Sequence, residues 1–336
     1  MPRQLIVLPD HTAKPFVDAV DNAKKSIRVK MFLFSHPGLI EAVIRARKRG
    51  IDVRVMLNPA RRSGKEENAT TAKKLKAAGI EVRDSNPAFD VTHEKSMVVD
   101  DRMAFVQSLN WDVKNLEGTR DYAVVTDDKR EVAEVIEGFE ADWERRPYTV
   151  SDRNLLIWCS GNGRERIAKF IDSAKKTLFV QNERYQDQVI IERLVRAKTR
   201  GVKIHVMARP PHKLSKEKLT EGVGGLRILV DVGIKVHKLK HLKLHGKMLL
   251  ADGERAIVGS INLAPGSFDS RRELAIEVKA PEVVRALKKV AHHDWKHSHP
   301  LDLTDKGLRK ELEKHKIDAA NELALEGDNC KPRRKK

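Results

Sequence analysis

The stretch HEKSMVVD at residues 93–100 occurs a second time in the chain, as HGKMLLAD at residues 245–252. Both copies read H-x-K-x-x-x-x-D, and each is followed by S-x-N, at residues 108–110 and 260–262. An acidic residue lies 28 positions after each histidine, Asp121 in one copy and Glu273 in the other. The copies lie 152 residues apart, so the chain carries two equivalent half-sites.

The duplication extends beyond these motifs. Four further pairs match at offsets of 151 to 154: AKKSI at 23–27 with AKKTL at 174–178, IRARKRG at 44–50 with VRAKTRG at 195–201, GIEV at 79–82 with GIKV at 233–236, and DW at 142–143 with DW at 294–295. We therefore predict two tandem homologous lobes, residues 1–150 and 151–298, with the boundary near residues 147–152. Residues 299–336 are predicted to form a charged helix packed on the body and a disordered basic tail.

Helical and strand periods alternate within each lobe. The strands predicted in the first lobe cover residues 27–34, 53–56, 81–83, 95–99, 103–106 and 122–125, and the last predicted helix covers 131–144. The alternation indicates an α/β fold in which each lobe is a mixed β-sheet flanked by helices. On such a strand His93 and Lys95, two residues apart, would project from the same face toward one phosphate.

Composition limits the partners and the compartment. The 336 residues carry a formal net charge of +18, which favours anionic partners: nucleic acid, acidic lipid surfaces or phosphorylated small molecules. The two cysteines, Cys159 and Cys330, give neither a disulfide framework nor metal-ligand spacing. No stretch approaches the roughly 18 apolar residues of a membrane span. We expect a cytoplasmic protein whose only membrane contact is peripheral, at the inner surface.

The duplicated residues suit displacement at a phosphodiester. One histidine can attack phosphorus and form a phosphohistidine. The other can protonate the departing oxygen and then deprotonate the incoming water or alcohol. Lysines and asparagines facing the phosphate would stabilise its charge, and Asp121 and Glu273 could hold the histidines in the required tautomer.

These motifs resemble the duplicated HKD signature of the phospholipase D superfamily, over about residues 1–298. The resemblance implies two lobes about a pseudo-two-fold axis, a shared site with one histidine from each lobe, and phosphoryl transfer without metal or cofactor. It makes His93 the nucleophile and His245 the acid, with Asp121 and Glu273 as the acids that orient them. The phosphate-binding positions that it implies are Lys95, Lys247, Asn110 and Asn262, with Ser108 and Ser260 beside them.

Two features of the motifs remain open. Asp100 and Asp252 lie at strand ends, where anchoring a turn or the lysine and touching substrate carry equal weight. The second copy has the family's G-S-x-N at 259–262, whereas Gln107 stands at the glycine position of the first copy, where its side chain would narrow the pocket.

Two other candidates favour ordinary roles. Histidines 292, 293, 297 and 299 could bind a metal, but a solvated helix end is favoured. Cys159 aligns with Pro9 of the first lobe, which favours packing over nucleophilic chemistry.

The substrate class has two readings. Both motifs lie in one chain, as in the lipid-acting branches of the family, and the basic surface suits anionic lipids. Basic residues after the second strand of each lobe could instead follow a nucleic-acid backbone: Arg61, Arg62, Lys65, Lys213, Lys216 and Lys218. A non-catalytic binding module is disfavoured because both lobes keep every catalytic group. We predict a monomeric, metal-independent phosphodiesterase or phosphatidyltransferase acting on phospholipids, with an endonuclease as the alternative.

Overall fold

The computed structural model describes residues 3–59, 66–151, 153–210 and 216–310, without the side chains of 216–221. In the first lobe the elements are β1 (Gln4–Leu8), α1 (Lys14–Asp21), β2 (Ser26–Met31), α2 (Pro37–Lys48), β3 (Asp52–Leu57), α3 (Ala69–Ala77), β4 (Glu81–Asp84), β5 (Val91–Thr92), β6 (Lys95–Val99), β7 (Met103–Gln107), α4 (Val113–Gly118), β8 (Thr119–Thr126) and α5 (Lys129–Trp143). The strands and helices predicted from the sequence are present within a few residues of their predicted bounds.

The second lobe repeats this order. Its elements are β9 (Ile157–Cys159), α6 (Gly163–Asp172), β10 (Thr177–Asn182), α7 (Gln188–Thr199), β11 (Lys203–Ala208), α8 (Lys216–Asp231), β12 (Lys235–Leu239), β13 (Lys243–Leu244), β14 (Lys247–Ala251), β15 (Arg255–Gly259), α9 (Pro265–Asp269), β16 (Arg271–Val278), α10 (Pro281–Lys296) and β17 (Ser298–Pro300). No helix within the described ranges is both long enough and apolar enough to cross a membrane.

Each lobe contains one mixed sheet. The first has the strand order β1-β8-β7-β6-β2-β3-β4, in which β2, β3 and β4 are parallel and the other pairs antiparallel. The second has the order β17-β12-β11-β10-β14-β15-β16, with the same parallel core of β10, β11 and β12. The predicted α/β fold of two tandem lobes is confirmed.

The lobes exchange one short strand each. β5 belongs to the first lobe by sequence but pairs with β16 of the second, and β13 of the second lobe pairs with β8 of the first. Both exchanged strands immediately precede a motif histidine. The candidate site is therefore built at the two places where a strand of one lobe joins the sheet of the other.

Three large apolar clusters among the described residues hold these layers together. One lies under α1, α2 and α3, and a second lies under α6, α7 and α8. The third joins the two sheets, with Val98 and Val124 of the first lobe against Met248 and Ile276 of the second. Because this third cluster is as fully buried as the other two, the inter-lobe face contributes to the same hydrophobic stabilisation.

The chain after residue 298 packs on the second lobe. β17 pairs with β12, and Leu301, Leu303 and Leu308 are buried in the second lobe's cluster. A helix begins at residue 305 and is described to residue 310. The rest of the predicted C-terminal helix and the basic tail lie outside the described residues.

Candidate active site

Backbone hydrogen bonds place each histidine at the crossing between the lobes. The N–H groups of His93 and Glu94 both donate to the carbonyl of Arg272, at 2.9 Å. In the second copy the N–H groups of His245 and Gly246 donate to the carbonyl of Arg120, at 3.3 and 2.7 Å. Because these amides face the other lobe, β6 and β14 begin only at the motif lysines.

The prediction that histidine and lysine stand side by side on one strand is therefore wrong. His93 and His245 lie in the two-residue links before β6 and β14. Lys95 still reaches its histidine, because its amine folds back and donates to the carbonyl oxygen of His93. Lys247 makes the same bond to the carbonyl of His245.

Each histidine is paired with a carboxylate of the opposite lobe. His93 Nδ1 lies 2.8 Å from Glu273 Oε2, and His245 Nδ1 lies 2.9 Å from Asp121 Oδ1. Both carboxylates are fully buried. When Nδ1–H donates to the carboxylate, the lone pair of Nε2 is left for chemistry in the cleft. The pairing is crossed: the acid 28 positions after each histidine serves the other histidine.

The electrostatics of the pairs keep His93 neutral. Burial lowers the pKa of His93 to about 3, with Lys95 and Lys247 adding to the effect against the opposing charge of Glu273. Despite its burial, Glu273 has a lowered pKa because His93 and Lys95 face it. The influence of Lys247, a residue of the second lobe, on His93 shows that the two half-sites share one electrostatic environment.

The two asparagines of the S-x-N segments occupy matching positions. Asn110 and Asn262 are 7% and 3% exposed, and the Oδ1 atom of each is buried without a hydrogen-bond partner among the described residues. Asn110 Nδ2 donates to Asn115. A buried carboxamide with unused capacity is costly unless a ligand completes it. These atoms are consistent with the predicted contact to a phosphate.

The two serines of the S-x-N segments form hydrogen bonds to neighbouring protein groups. Ser108 Oγ donates to Asp121 Oδ1 at 2.6 Å and accepts the N–H of Tyr122. Ser260 Oγ accepts the N–H of Leu274 at 3.1 Å, and both serines are fully buried. This geometry favours support of β8, β16 and Asp121 over the predicted phosphate contact.

The motif aspartates face away from the histidines. Asp100 accepts the backbone N–H groups of residues 24–26, at 2.6 to 3.1 Å. Asp252 accepts those of residues 175–177, at 2.7 to 2.9 Å. Of the roles left open by the sequence, the geometry favours the turn anchor.

Gln107 does not narrow the cleft, contrary to expectation. Its Oε1 accepts the indole N–H of Trp111 at 2.9 Å, so the side chain points into the first lobe's apolar cluster. At the equivalent position of the second lobe, Gly259 leaves no room for a side chain. A Cβ there would come within 2.3 Å of the carbonyl of Leu274.

The two half-sites differ beside the cleft. The ring of Phe32 lies edge-on to His93, with 5.0 Å between ring centroids, and Lys95 Nζ lies 5.1 Å from the centre of the same ring. The residue at the matching position of the second lobe is Glu183. Its Oε2 lies 3.1 Å from Lys247 Nζ and 3.7 Å from His245 Nε2.

Glu183 is further paired with Arg209, at 2.7 Å. Burial opposes ionisation, but Lys247, His245 and Arg209 hold the pKa of Glu183 well below its usual range. Nothing in the H-x-K or S-x-N spacing points to this residue. Glu183 directly follows the buried strand β10. A charged residue at the end of a buried strand was the one sequence feature that could have indicated it.

Two buried arginines were also missed. Arg272 pairs bidentately with Asp142 at 2.8 Å, and Arg120 pairs with Asp294 at 3.0 Å, each across the lobe boundary. Their carbonyls hold the histidine links described above. The repeated DW pair at 142–143 and 294–295 was recognised in the sequence. The arginine that pairs with the aspartate of each copy was not.

The remaining candidates are Cys159, the histidines at 292–299 and the basic residues after the second strand of each lobe. Cys159 is fully buried in the second lobe's cluster, and burial raises the pKa of its thiol well above the usual range, in keeping with packing. Across the described ranges no three metal-ligating side chains converge. Arg61, Arg62, Lys65 and Lys213 lie outside the described residues, as do the side chains of Lys216 and Lys218.

Comparison with known proteins gives a consistent picture. The family model "Cardiolipin synthase, PLD-like domain" matches residues 16–143 and 167–295. The chain is 33% identical to human mitochondrial cardiolipin hydrolase over 124 residues, which are 37% of this chain and 47% of that protein. It is 23% identical over 316 residues to cardiolipin synthase B of Salmonella typhi, covering 80% of this chain and 74% of that protein.

A solved structure shows the same fold over nearly the whole chain. Phosphatidylserine synthase of Haemophilus influenzae Rd KW20 superposes with a TM-score of 0.70 at 12% identity, over 96% of this chain and 94% of that one. The family model covers both lobes and includes both motifs. The chain belongs to the PLD-like cardiolipin synthase family of the phospholipase D superfamily, and is an enzyme of the phospholipase D type.

Proposed function

We propose that this protein is a phosphatidyltransferase or phosphodiesterase that acts on phospholipids through a covalent phosphohistidine on His93, without a metal ion. One observation carries the proposal above the others: the crossed pairs of His93 with Glu273 and His245 with Asp121. They hold one imidazole from each lobe by its Nδ1 atom and leave its Nε2 atom available, and a two-step displacement needs two such groups.

In the first step His93 Nε2 attacks phosphorus. The phosphorus–oxygen bond of the leaving alcohol breaks, and that oxygen takes the proton of His245 Nε2. The low pKa of His93, about 3, leaves its imidazole neutral and nucleophilic at neutral pH. Glu273 stabilises the positive charge that the ring gains as the nitrogen–phosphorus bond forms.

In the second step His245 reverses its role. Its Nε2 takes the proton of an incoming alcohol or water, whose oxygen attacks phosphorus and breaks the bond to His93. An alcohol acceptor gives transfer and water gives hydrolysis. Lys95, Lys247, Asn110 and Asn262 would bind the non-bridging oxygens in both steps.

The surroundings of the cleft suit an anionic substrate. Burial lowers the pKa of Lys114, and the charges of Arg209 and Lys243 add to the shift against those of Asp112 and Glu183. The three basic side chains of Lys114, Arg209 and Lys243 therefore lie near one another. The relatives named for cardiolipin chemistry favour phospholipid over nucleic acid as the source of the phosphodiester. We place the enzyme in the cytoplasm as a monomer, with peripheral contact at the inner membrane surface.

Turnover tests the proposal directly. Purified protein is incubated in chelator with vesicles of phosphatidylglycerol and, separately, with single- and double-stranded DNA and RNA. Head-group release or phosphatidyl transfer is expected from the wild type and not from the His93→Ala variant. Nucleic-acid cleavage that needs His93, with inert lipids, would replace the lipid enzyme by the endonuclease. Activity lost in chelator and restored by a metal would contradict the metal-free mechanism.

A further inference from the structure

A basic pocket opens on the second lobe, away from the candidate active site. It is a cavity of about 600 Å³ between α10 and the start of the sheet at β10 and β11. Four exposed lysines form its rim: Lys176, Lys203, Lys288 and Lys296. Its floor is aromatic. His205 stacks on Phe179, with ring centroids 4.4 Å apart, and meets Trp295 edge-on at 4.5 Å.

The positive charges on the rim of this basic pocket are not balanced by ion pairs in the part of the chain that the structure describes. Within the described ranges none of the four rim lysines has an acidic partner. Asp252 also lines the cavity, but its carboxylate already accepts three backbone N–H bonds from residues 175–177. An unpaired group of like charges repels itself, and an anion from solution would relieve that repulsion.

The first lobe shows how the same position is neutralised. Arg28 and Arg54, which face each other on β2 and β3, are bridged by Glu140 at 2.7 and 2.8 Å. Asp101 also pairs with Arg28, and Asp52 lies 3.8 Å from Arg54. Three carboxylates thus balance the basic groups there.

In the second lobe all three carboxylates are replaced. The residues at the positions of Glu140, Asp101 and Asp52 are His292, Gly253 and Lys203. Phe179 and His205 face each other on β10 and β11 where the first lobe has its two arginines. The duplication therefore provides an internal reference: one lobe has a closed ion-pair network, and the other has an open cavity of matching position with excess positive charge.

The positive charges around the pocket also affect the pKa of His205. Burial lowers the pKa of His205 to about 4, and Lys203, His292, Lys235 and His237 add to the shift. No carboxylate is among these causes. The Nδ1 atom of His205 is buried without a hydrogen-bond partner in the described part of the chain.

We propose that the basic pocket binds the phosphate group of a phosphorylated ligand, which takes the place of the carboxylates of the first lobe. The rim lysines supply the charge, and the aromatic floor contacts the group to which the phosphate is attached. The ligand is either an anionic lipid headgroup or a soluble phosphate compound. These share the same chemistry and differ in whether the phosphate is presented by a membrane.

The basic pocket is separate from the catalytic cleft. It surrounds the first residues of β10, whereas Glu183 follows the last. At about 3.3 Å per residue the six-residue strand spans roughly 20 Å. A ligand in the basic pocket therefore leaves the histidines free, and the proposal does not depend on the reaction proposed for them.

The test restores the residues of the first lobe. His292→Glu and Lys203→Asp place carboxylates at the positions of Glu140 and Asp52 and so fill the anion's place from within. Lys74→Asp, at an exposed lysine of α3, is the control with the same charge change as Lys203→Asp. Binding of inorganic phosphate is followed by the indole N–H signal of Trp295, assigned with Trp295→Phe.

Phosphate should shift the Trp295 signal in the wild type and in Lys74→Asp, and each of the two pocket variants should weaken binding at least about tenfold. The indole N–H signals of the buried Trp111 and Trp158 should keep their wild-type positions in the pocket variants, which shows that they are folded. No shift of Trp295 in the wild type, or equal affinity in all variants, would overturn the proposal.

Vesicles identify the source of the phosphate. If the pocket variants also lose binding to phosphatidylglycerol vesicles, with phosphatidylcholine vesicles as the neutral comparison, the ligand is a lipid headgroup. If vesicle binding is unchanged while the phosphate-induced shift is weakened, the ligand is a soluble phosphate compound.

Discussion

The two half-sites have the same motif but different neighbours. In the first, the ring of Phe32 packs against His93 and Lys95, and Glu273 pairs with His93. In the second, Glu183 lies between Lys247 and His245 Nε2, backed by Arg209. An apolar neighbour favours a neutral imidazole, whereas a carboxylate beside Nε2 favours a protonated one.

A duplicated motif therefore does not require duplicated roles. We infer that the first half-site is built for a nucleophile and the second for a proton donor. The crossed pairing allows the roles of the two histidines to be tested separately, because each histidine is paired with an acid of the other lobe. Four predictions test this comparison.

The largest effect is expected from the histidines themselves. His93→Ala and His245→Ala should each lower turnover of phospholipid by about 10⁴-fold or more. With an aryl phosphodiester, whose leaving group needs no proton, His245→Ala should still form the phosphoenzyme and accumulate it, whereas His93→Ala should form none. Mass spectrometry of the peptide around residue 93 measures this. A phosphoenzyme on residue 245 would reverse the assignment.

The pH profile of kcat/KM tests whether His93 is a neutral nucleophile. Protonation of His93 removes the nucleophile, so activity is lost only as pH falls through the low pKa of about 3. The acid side of kcat/KM should therefore show no loss from His93 down to about pH 5. A loss centred near pH 6.5 in phosphoenzyme formation from the aryl substrate would contradict a buried, neutral His93.

The acids should give the next largest effects. Glu273→Gln should slow phosphoenzyme formation by about 10² to 10⁴-fold with either substrate, since it orients His93. Asp121→Asn should slow the reaction of the phospholipid far more than phosphoenzyme formation from the aryl substrate, since it serves His245. Rapid-quench kinetics separate the two. The opposite pattern would mean that each acid serves the histidine of its own lobe.

Glu183→Gln should give the smallest effect, with kcat lowered about tenfold because Nε2 of His245, the proposed proton donor, loses the carboxylate that lies 3.7 Å away. The low pKa of Glu183 keeps it ionised, so the ratio of variant to wild type should stay constant between about pH 5 and 8. Phe32→Leu, the matched change in the other lobe, should alter kcat by less than about threefold. Equal effects of the two variants would remove the distinction between the half-sites.

Much of this molecule could be predicted from local sequence. Apolar periodicity indicated the helices and strands, because burial selects one face of each element. The repeat spacing indicated two lobes. The prediction failed where local pattern conflicted with tertiary hydrogen bonding: at His93, whose amide is held by Arg272, and at Gln107, whose side chain is held by Trp111.

The chemical groups, their duplication and the α/β fold of each lobe follow from the amino-acid sequence alone. Which acid pairs with which histidine depends on how the two lobes pack together. His93 and Glu273 are 180 residues apart, and they meet because β5 leaves its own lobe to pair with β16. Spacing along a chain cannot reveal this exchange, since the backbone hydrogen bonds of a two-residue strand carry almost no side-chain pattern. Sequence spacing likewise does not predict the role of Glu183 or the open basic pocket. Both are recognised only when the structures of the two lobes are compared.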